Sequence, residues 1–180
     1  MRVIAGKAKG RTLNTPHGQA TRPTSDRVKE AMFSIIQFDL PGAKVLDLFG
    51  GTGQLGIEAL SRGAESAVFV DERADACLLI KENLIKTGLT SQAKVIRSDY
   101  ASYLHAKPEK FDIILLDPPY AEVFLENSLN LITEIDILQS GGIIVTERPL
   151  TKKELWDFSG YSRSKDYKYG NTLLSIYRKD

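Results

Sequence analysis

The chain of 180 residues is long enough for one domain with a full core and too short for two of ordinary size. Hydrophobic residues at 42% and charged residues at 26% exclude wholesale disorder and a fibrous repeat. The net charge of +1 conceals two basic ends: residues 1–29 hold seven Lys/Arg against one Asp, residues 148–180 hold eight against four acids, and residues 30–147 hold nine against eighteen. A nucleic-acid surface assembled from both ends would need such clustering; the alternative is an ordinary solvated surface. The apolar runs fall far short of the roughly 20 residues that cross a bilayer, the first seven residues carry no apolar stretch of signal length, and Cys77 is the single cysteine. A cytoplasmic protein without a membrane partner is therefore expected.

At the N-terminus, residues 2–5 and 11–14 flank Gly6 and Gly10 and predict a small hairpin, followed by a Pro-bearing loop and a helix over 24–38. From residue 43 strands and helices alternate. Predicted strands cover 44–48, 66–70, 94–97, 111–116 and 143–147, the last introduced by Gly141-Gly142; predicted helices cover 54–61, 75–86 (closed by Gly88), a short turn through Leu104, and 125–134. The strands read as continuous apolar runs, the pattern of parallel strands buried on both faces. Residues 161–169 and 172–177, joined at Gly170-Asn171, predict a closing hairpin and so an antiparallel edge. The expected division is a basic N-terminal extension, 1–40, and an α/β domain, 41–180.

Asp47-Leu48-Phe49-Gly50-Gly51-Thr52-Gly53-Gln54-Leu55-Gly56 stands where the first strand turns into a helix, with Asp71 twenty residues after Gly51 at the end of the second strand. This is a formal GxGxxG with a ribose-binding acid, which alone also fits a nicotinamide-dependent oxidoreductase. Asp47 ahead of the loop opposes a pyrophosphate and favours an ammonium or sulfonium, and S-adenosylmethionine carries both. Asp99, after the third strand, is a candidate acceptor for an adenine amino group and equally an N-cap for the short helix that opens at Tyr100. Asp117-Pro118-Pro119-Tyr120 follows the fourth strand. Two prolines lock that backbone and remove two N–H donors, leaving carbonyls and a carboxylate as fixed acceptors beside an aromatic ring. Such a set suits an exocyclic amine whose N–H groups are held while Tyr120 stacks on the base.

The order DLFGGTG, Asp71, Asp99, DPPY resembles the class I S-adenosylmethionine-dependent methyltransferases of exocyclic amines. Adding residues 22–33 (RPTSDRVKEAMF), 2–6 (RVIAG), 61–64 (SRGA) and 169–172 (YGNT), the chain resembles the RsmD family, bacterial enzymes that methylate guanine N2 in small-subunit ribosomal RNA. The resemblance implies a Rossmann-like, seven-stranded, mostly parallel sheet with an antiparallel C-terminal hairpin strand; a monomer is expected. It further implies an acceptor site at Asp117, Pro118, Pro119 and Tyr120, and S-adenosylmethionine held by Asp47, Phe49, Gly50, Gly51, Gly53, Asp71, Asp99 and Tyr100. Arg2, Lys7, Lys9, Arg11, Arg22 and Arg27 would grip RNA, with bracing of the cofactor loop as the other task open to Arg22 and Arg27. The chain departs from the family pattern in FGGTG for FAGSG, Asp71 for Glu, and Lys29 for Arg. Rival activities are methylation of adenine N6 in DNA and a catalytically silent RNA-binding assembly factor.

Overall fold

The computed structural model describes residues 1–16, 26–106, 108–119, 122–150 and 158–180. After α1 (Asp26–Ile35), strand and helix alternate as β1 (Lys44–Asp47), α2 (Gln54–Ser61), β2 (Ser66–Asp71), α3 (Ala74–Thr87), β3 (Ala93–Arg97), α4 (Tyr100–His105), β4 (Phe111–Leu116) and α5 (Glu122–Ile135). The chain then adds β5 (Leu138–Pro149), β6 (Tyr161–Tyr169) and β7 (Thr172–Lys179), giving a seven-stranded sheet in the order β3-β2-β1-β4-β5-β7-β6. β1 to β5 are mutually parallel, and β7 lies antiparallel between β5 and β6. The expected Rossmann-like, mostly parallel sheet with one antiparallel hairpin strand is the one that forms.

Residues alternate along each strand between two cores. Val45, Phe69, Ile113, Leu115 and Val145 pack under α1, α2 and α3, while Leu46, Val70, Ile114, Leu116 and Ile144 pack under α4 and α5. Both faces are dry, which is why the strands carry no polar alternation. Gly56 lets α2 approach the sheet closely: a Cβ there would stand 2.3 Å from the Phe69 ring. The third glycine of the motif thus serves packing, letting Phe69 reach full burial, worth about 1.5–3 kcal/mol.

Element limits shift in places: α1 ends at Ile35 rather than at 38, and α5 opens at Glu122 rather than at 125. β5 begins at Leu138 rather than Ile143, because Gly141 and Gly142 sit within it where its register on β4 jumps from Phe111↔Leu138 to Ile113↔Ile143. At the N-terminus the expected small hairpin forms: Val3 donates to the Arg11 carbonyl at 2.9 Å and Leu13 to the Met1 carbonyl at 3.0 Å on either side of the antiparallel bridge Arg2↔Thr12. Residues 4–8 between its arms are docked on α2: Ile4 and Ala5 donate their N–H groups to the buried Glu58 carboxylate at 2.8 and 3.0 Å, Ala8 donates to Ser61 Oγ at 2.9 Å, and Ser61 Oγ donates to the Ala5 carbonyl. Lys29, fully buried on α1, donates to the Arg2 carbonyl at 2.6 Å and lies 4.0 Å from Glu58. Desolvation lowers the Lys29 pKa, and the Glu58 charge opposes that shift. Val3, Ala8 and Leu13 share one apolar cluster with α1, α2 and β1.

Candidate active site

The C-terminal ends of β1, β2, β4 and β5 and the loop after β3 open onto one cleft of about 1380 Å³, where a doubly wound sheet reverses its winding. That exceeds the roughly 300–1,000 Å³ of a single small-molecule site and leaves room for two ligands. Asp47, Phe49, Gly50, Gly51, Asp71, Asp99, Tyr100, Asp117, Pro118 and Pro119 all line it. Gly53 does not. Its φ of 78° forms the left-handed N-cap of α2, and a Cβ there would press on Ile80 and Ile57, so its role is to turn the chain. Tyr120 and Arg22 lie outside the described residues.

The glycine loop is held from three sides. Asp71 accepts the Gly51 N–H at 2.9 Å through one oxygen and the Arg73 N–H at 3.0 Å through the other. Gly50 donates to the Val70 carbonyl at 2.8 Å. Asn83, fully buried on α3, donates to the Thr52 carbonyl at 2.9 Å and exchanges a pair of hydrogen bonds with the Asn14 backbone at 2.7 and 3.1 Å. The loop and the N-terminal segment are thereby tied to the same side chain. Asn83 escaped the sequence reading, although a polar residue at the apolar i+3 spacing from Ile80 signals a buried bonding task.

Asp47 forms the floor. It is 2% exposed, accepts the Gly56 N–H at 3.0 Å, and has its pKa pushed up to about 8 by desolvation, against the Gly56 bond and reinforced by the charges of Asp117 and Asp71. Three acids converge, so the cleft favours a cation and stores the cost of its absence. The folded pKa lies above the ordinary 3.8, so ionisation in the fold carries a penalty that grows from about pH 4 to pH 8 and is constant above. Asp47→Asn, which keeps an acceptor for Gly56, is expected to raise Tm at pH 8 by about 5 °C and to change it little at pH 4, read by thermal melts across pH.

Asp99 is the N-cap of α4, accepting the Ser102 N–H at 2.9 Å, a bond that holds its carboxyl below the ordinary range. Both sequence readings of Asp99 are thus compatible, since it also lines the cleft. Phe49 and Tyr100 stand 5.5 Å apart, and Phe124 meets Tyr100 edge-on at 6.1 Å, making an aromatic wall fit for a planar ring. Phe124, 40% exposed on the first turn of α5, was not anticipated; its place four residues past Tyr120 was the available signal. From the far side, Arg148 on β5 and Lys168, Tyr169 and Asn171 of the C-terminal hairpin also line the cleft.

The N-terminal basic residues do not converge there. Among those described, only Arg27 lines the cleft. Arg2 pairs with Asp26 at 3.1 Å, Lys7 bonds Gln92 just ahead of β3, Arg11 bonds the Lys86 carbonyl at 3.2 Å, and Lys9 is exposed. The anchoring of residues 4–8 to Glu58 and Ser61 directs them along α2 and away from the strand tips.

A family model described as Conserved hypothetical protein 95, the model of the RsmD family, matches residues 1–178. The chain belongs to the RsmD family. RsmD-family relatives align along nearly the whole chain. YlbH of Bacillus subtilis is 42% identical over 182 residues, covering 99% of each chain. The Escherichia coli protein named ribosomal RNA small subunit methyltransferase D is 36% identical over 181 residues, covering 100% of this chain and 90% of its own. The solved structure of yhhF from Escherichia coli is 30% identical, with a TM-score of 0.90 over 100% of this chain and 98% of its own.

Proposed function

We propose that this RsmD-family chain transfers a methyl group from S-adenosylmethionine to the exocyclic N2 of a guanine in small-subunit ribosomal RNA. The observation that carries the reading is the meeting, in one cleft, of a buried acid floor at the β1 tip and a rigid acceptor loop, Asp117-Pro118-Pro119, at the adjacent β4 tip. Asp47 suits the cofactor's ammonium, and Asp71, Asp99 and the Phe49–Tyr100 wall suit its adenosine. When bound, the cofactor supplies an electrophilic methyl on a sulfonium that leaves as a thioether.

The chain's residues have the remaining tasks. A guanine N2 lone pair is delocalised into the ring and must be aimed. Asp117 and the loop carbonyls accept its two N–H groups, fixing the nitrogen's direction, and the Asp117 carboxylate holds the proton that the amine loses as its N–C bond forms. Tyr120 is assigned the stacking face. Arg27 meets the RNA at the cleft mouth, Arg2, Lys7, Lys9 and Arg11 meet phosphates farther from the target base, and Arg22 is assigned a phosphate contact as well. A paired base hides its N2, so the guanine enters unpaired or flipped.

The acid floor makes cofactor binding pH-dependent. Because burial pushes the Asp47 pKa up to about 8, an ammonium ligand must drive off its proton. Affinity for S-adenosylhomocysteine is expected to rise about tenfold per pH unit from pH 6 to 7 and to level above about pH 8, once Asp47 is ionised before the ligand arrives. Calorimetry in buffers of different ionisation heat should register about one proton released at pH 6.5, and none for Asp47→Asn. A flat wild-type profile would remove the charge role of Asp47.

The activity itself is read by supplying labelled S-adenosylmethionine to small ribosomal subunits from cells lacking the protein, then separating nucleosides by mass spectrometry. N2-methylguanosine is the expected product. Labelled N6-methyladenine in a DNA control would assign the acceptor loop to a different base, and no incorporation anywhere would leave an RNA-binding factor.

A further inference from the structure

Inside the cleft, Gln54 carries a polar atom that nothing around it satisfies. Gln54 is the first residue of α2, is 8% exposed, and lines the cleft beside Asp47, Thr52 and Leu55. Its Oε1 is sealed from solvent and has no hydrogen-bond partner among the described residues. A buried carbonyl left in that state costs folding free energy, and a native chain retains one where a ligand completes it. The start of α2 does not use the side chain. The helix start is formed by the Gly53 backbone, and the acid held against the first turn is Asp47, through Gly56.

Its place in the fold selects which part of a ligand it meets. The adenosine-facing groups, Asp71 and Asp99, stand at the β2 and β3 tips, and the acceptor loop stands at β4. Gln54 follows the glycine loop of β1 directly, on the same helix turn that holds Asp47. The amino-acid end of S-adenosylmethionine offers an ammonium with three N–H donors and a carboxylate, and a carboxamide offers an acceptor and two N–H donors in return. We infer that Gln54 binds the amino-acid end of the cofactor, its Oε1 accepting an N–H of the ammonium, and so selects against nucleosides that lack that end. The inference rests on the cofactor reading given above. Asp47 then supplies charge to the ammonium, and Gln54 supplies direction.

Calorimetry on the wild type, Gln54→Met and Gln54→Ala separates the two claims, using S-adenosylhomocysteine and 5′-methylthioadenosine, which keeps the adenosine and sulfur but has no amino-acid end. Both variants should bind S-adenosylhomocysteine about tenfold or more weakly and 5′-methylthioadenosine within about twofold of wild type. Their empty forms should melt at or above the wild-type temperature, because the orphaned carbonyl is gone; a purely structural role predicts a lower melting temperature. Equal losses for both ligands, or no loss for S-adenosylhomocysteine, would overturn the inference while leaving the cofactor reading intact. Failure of the wild type to bind S-adenosylhomocysteine would overturn both.

Discussion

Glu58→Ala is expected to lower the unfolding free energy by about 3–5 kcal/mol, the range for removing one partner of a buried charged network. At this chain length that corresponds to roughly 10 °C in Tm. Glu58 is fully buried and serves four donors: the Ile4 and Ala5 N–H groups, Arg62 Nε at 2.7 Å and, at 4.0 Å, Lys29 Nζ. Its loss leaves two backbone donors unsatisfied and a buried ammonium with only the Arg2 carbonyl. The damage should begin locally, so limited proteolysis within residues 4–11 should accelerate before the core melts. Because Met1 and Val28 line the cleft, weaker cofactor binding should accompany the loss of stability. A Tm change under about 2 °C, with proteolysis unaltered, would mean that the N-terminal segment is held by its apolar contacts alone.

This network also marks where the sequence ceased to be legible. The parallel strands announced themselves because each is a short apolar run ending at an acid or a glycine: residues 66–70 and 111–116 reappear as strands within a residue of their predicted limits. Gly88, read as a helix stop, is the left-handed C-cap of α3. Such signals are local, carried by neighbours along the chain. The small hairpin at residues 2–14 was legible from its glycines, but its docking was not: Glu58 and Ser61, more than fifty residues away, take the N–H groups of Ile4, Ala5 and Ala8. The same limit applies to the basic residues. Their clustering in sequence was plain, but which of them reach the cleft is decided by where residues 4–8 are pinned.

The site divides along similar lines. Asp47, Asp71, Asp99 and Asp117 were visible because each ends or follows a strand, and parallel strands deliver their C-terminal ends to one edge; all four line the cleft. Gln54, Asn83 and Phe124 were not. Each sits on a helix, where function depends on which way a face turns. The three glycines that read as one ligand-binding motif have separate tasks: Gly51 faces the cleft, Gly53 turns the chain, and Gly56 admits Phe69.

Asp117→Ala is expected to reduce the methyl-transfer rate by about 10²–10³-fold, the effect of removing a fixed group that stabilises charge developing in the transition state. Cofactor affinity should fall by less than about threefold, and the direction of any change is informative. Asp117 is one of the charges that raise the Asp47 pKa, so its removal eases ionisation of the floor and favours an ammonium ligand. Asp71→Ala should behave in the opposite sense. It releases the Gly51 and Arg73 N–H groups, loosens the glycine loop, and weakens binding of S-adenosylhomocysteine before the rate at saturating cofactor suffers. Single-turnover transfer to small ribosomal subunits, with cofactor affinity measured separately, distinguishes these outcomes. If both variants lose cofactor affinity to the same degree and transfer at wild-type rates once saturated, the loop after β4 has no part in aiming the amine, and the division of the cleft into a cofactor half and an acceptor half is wrong.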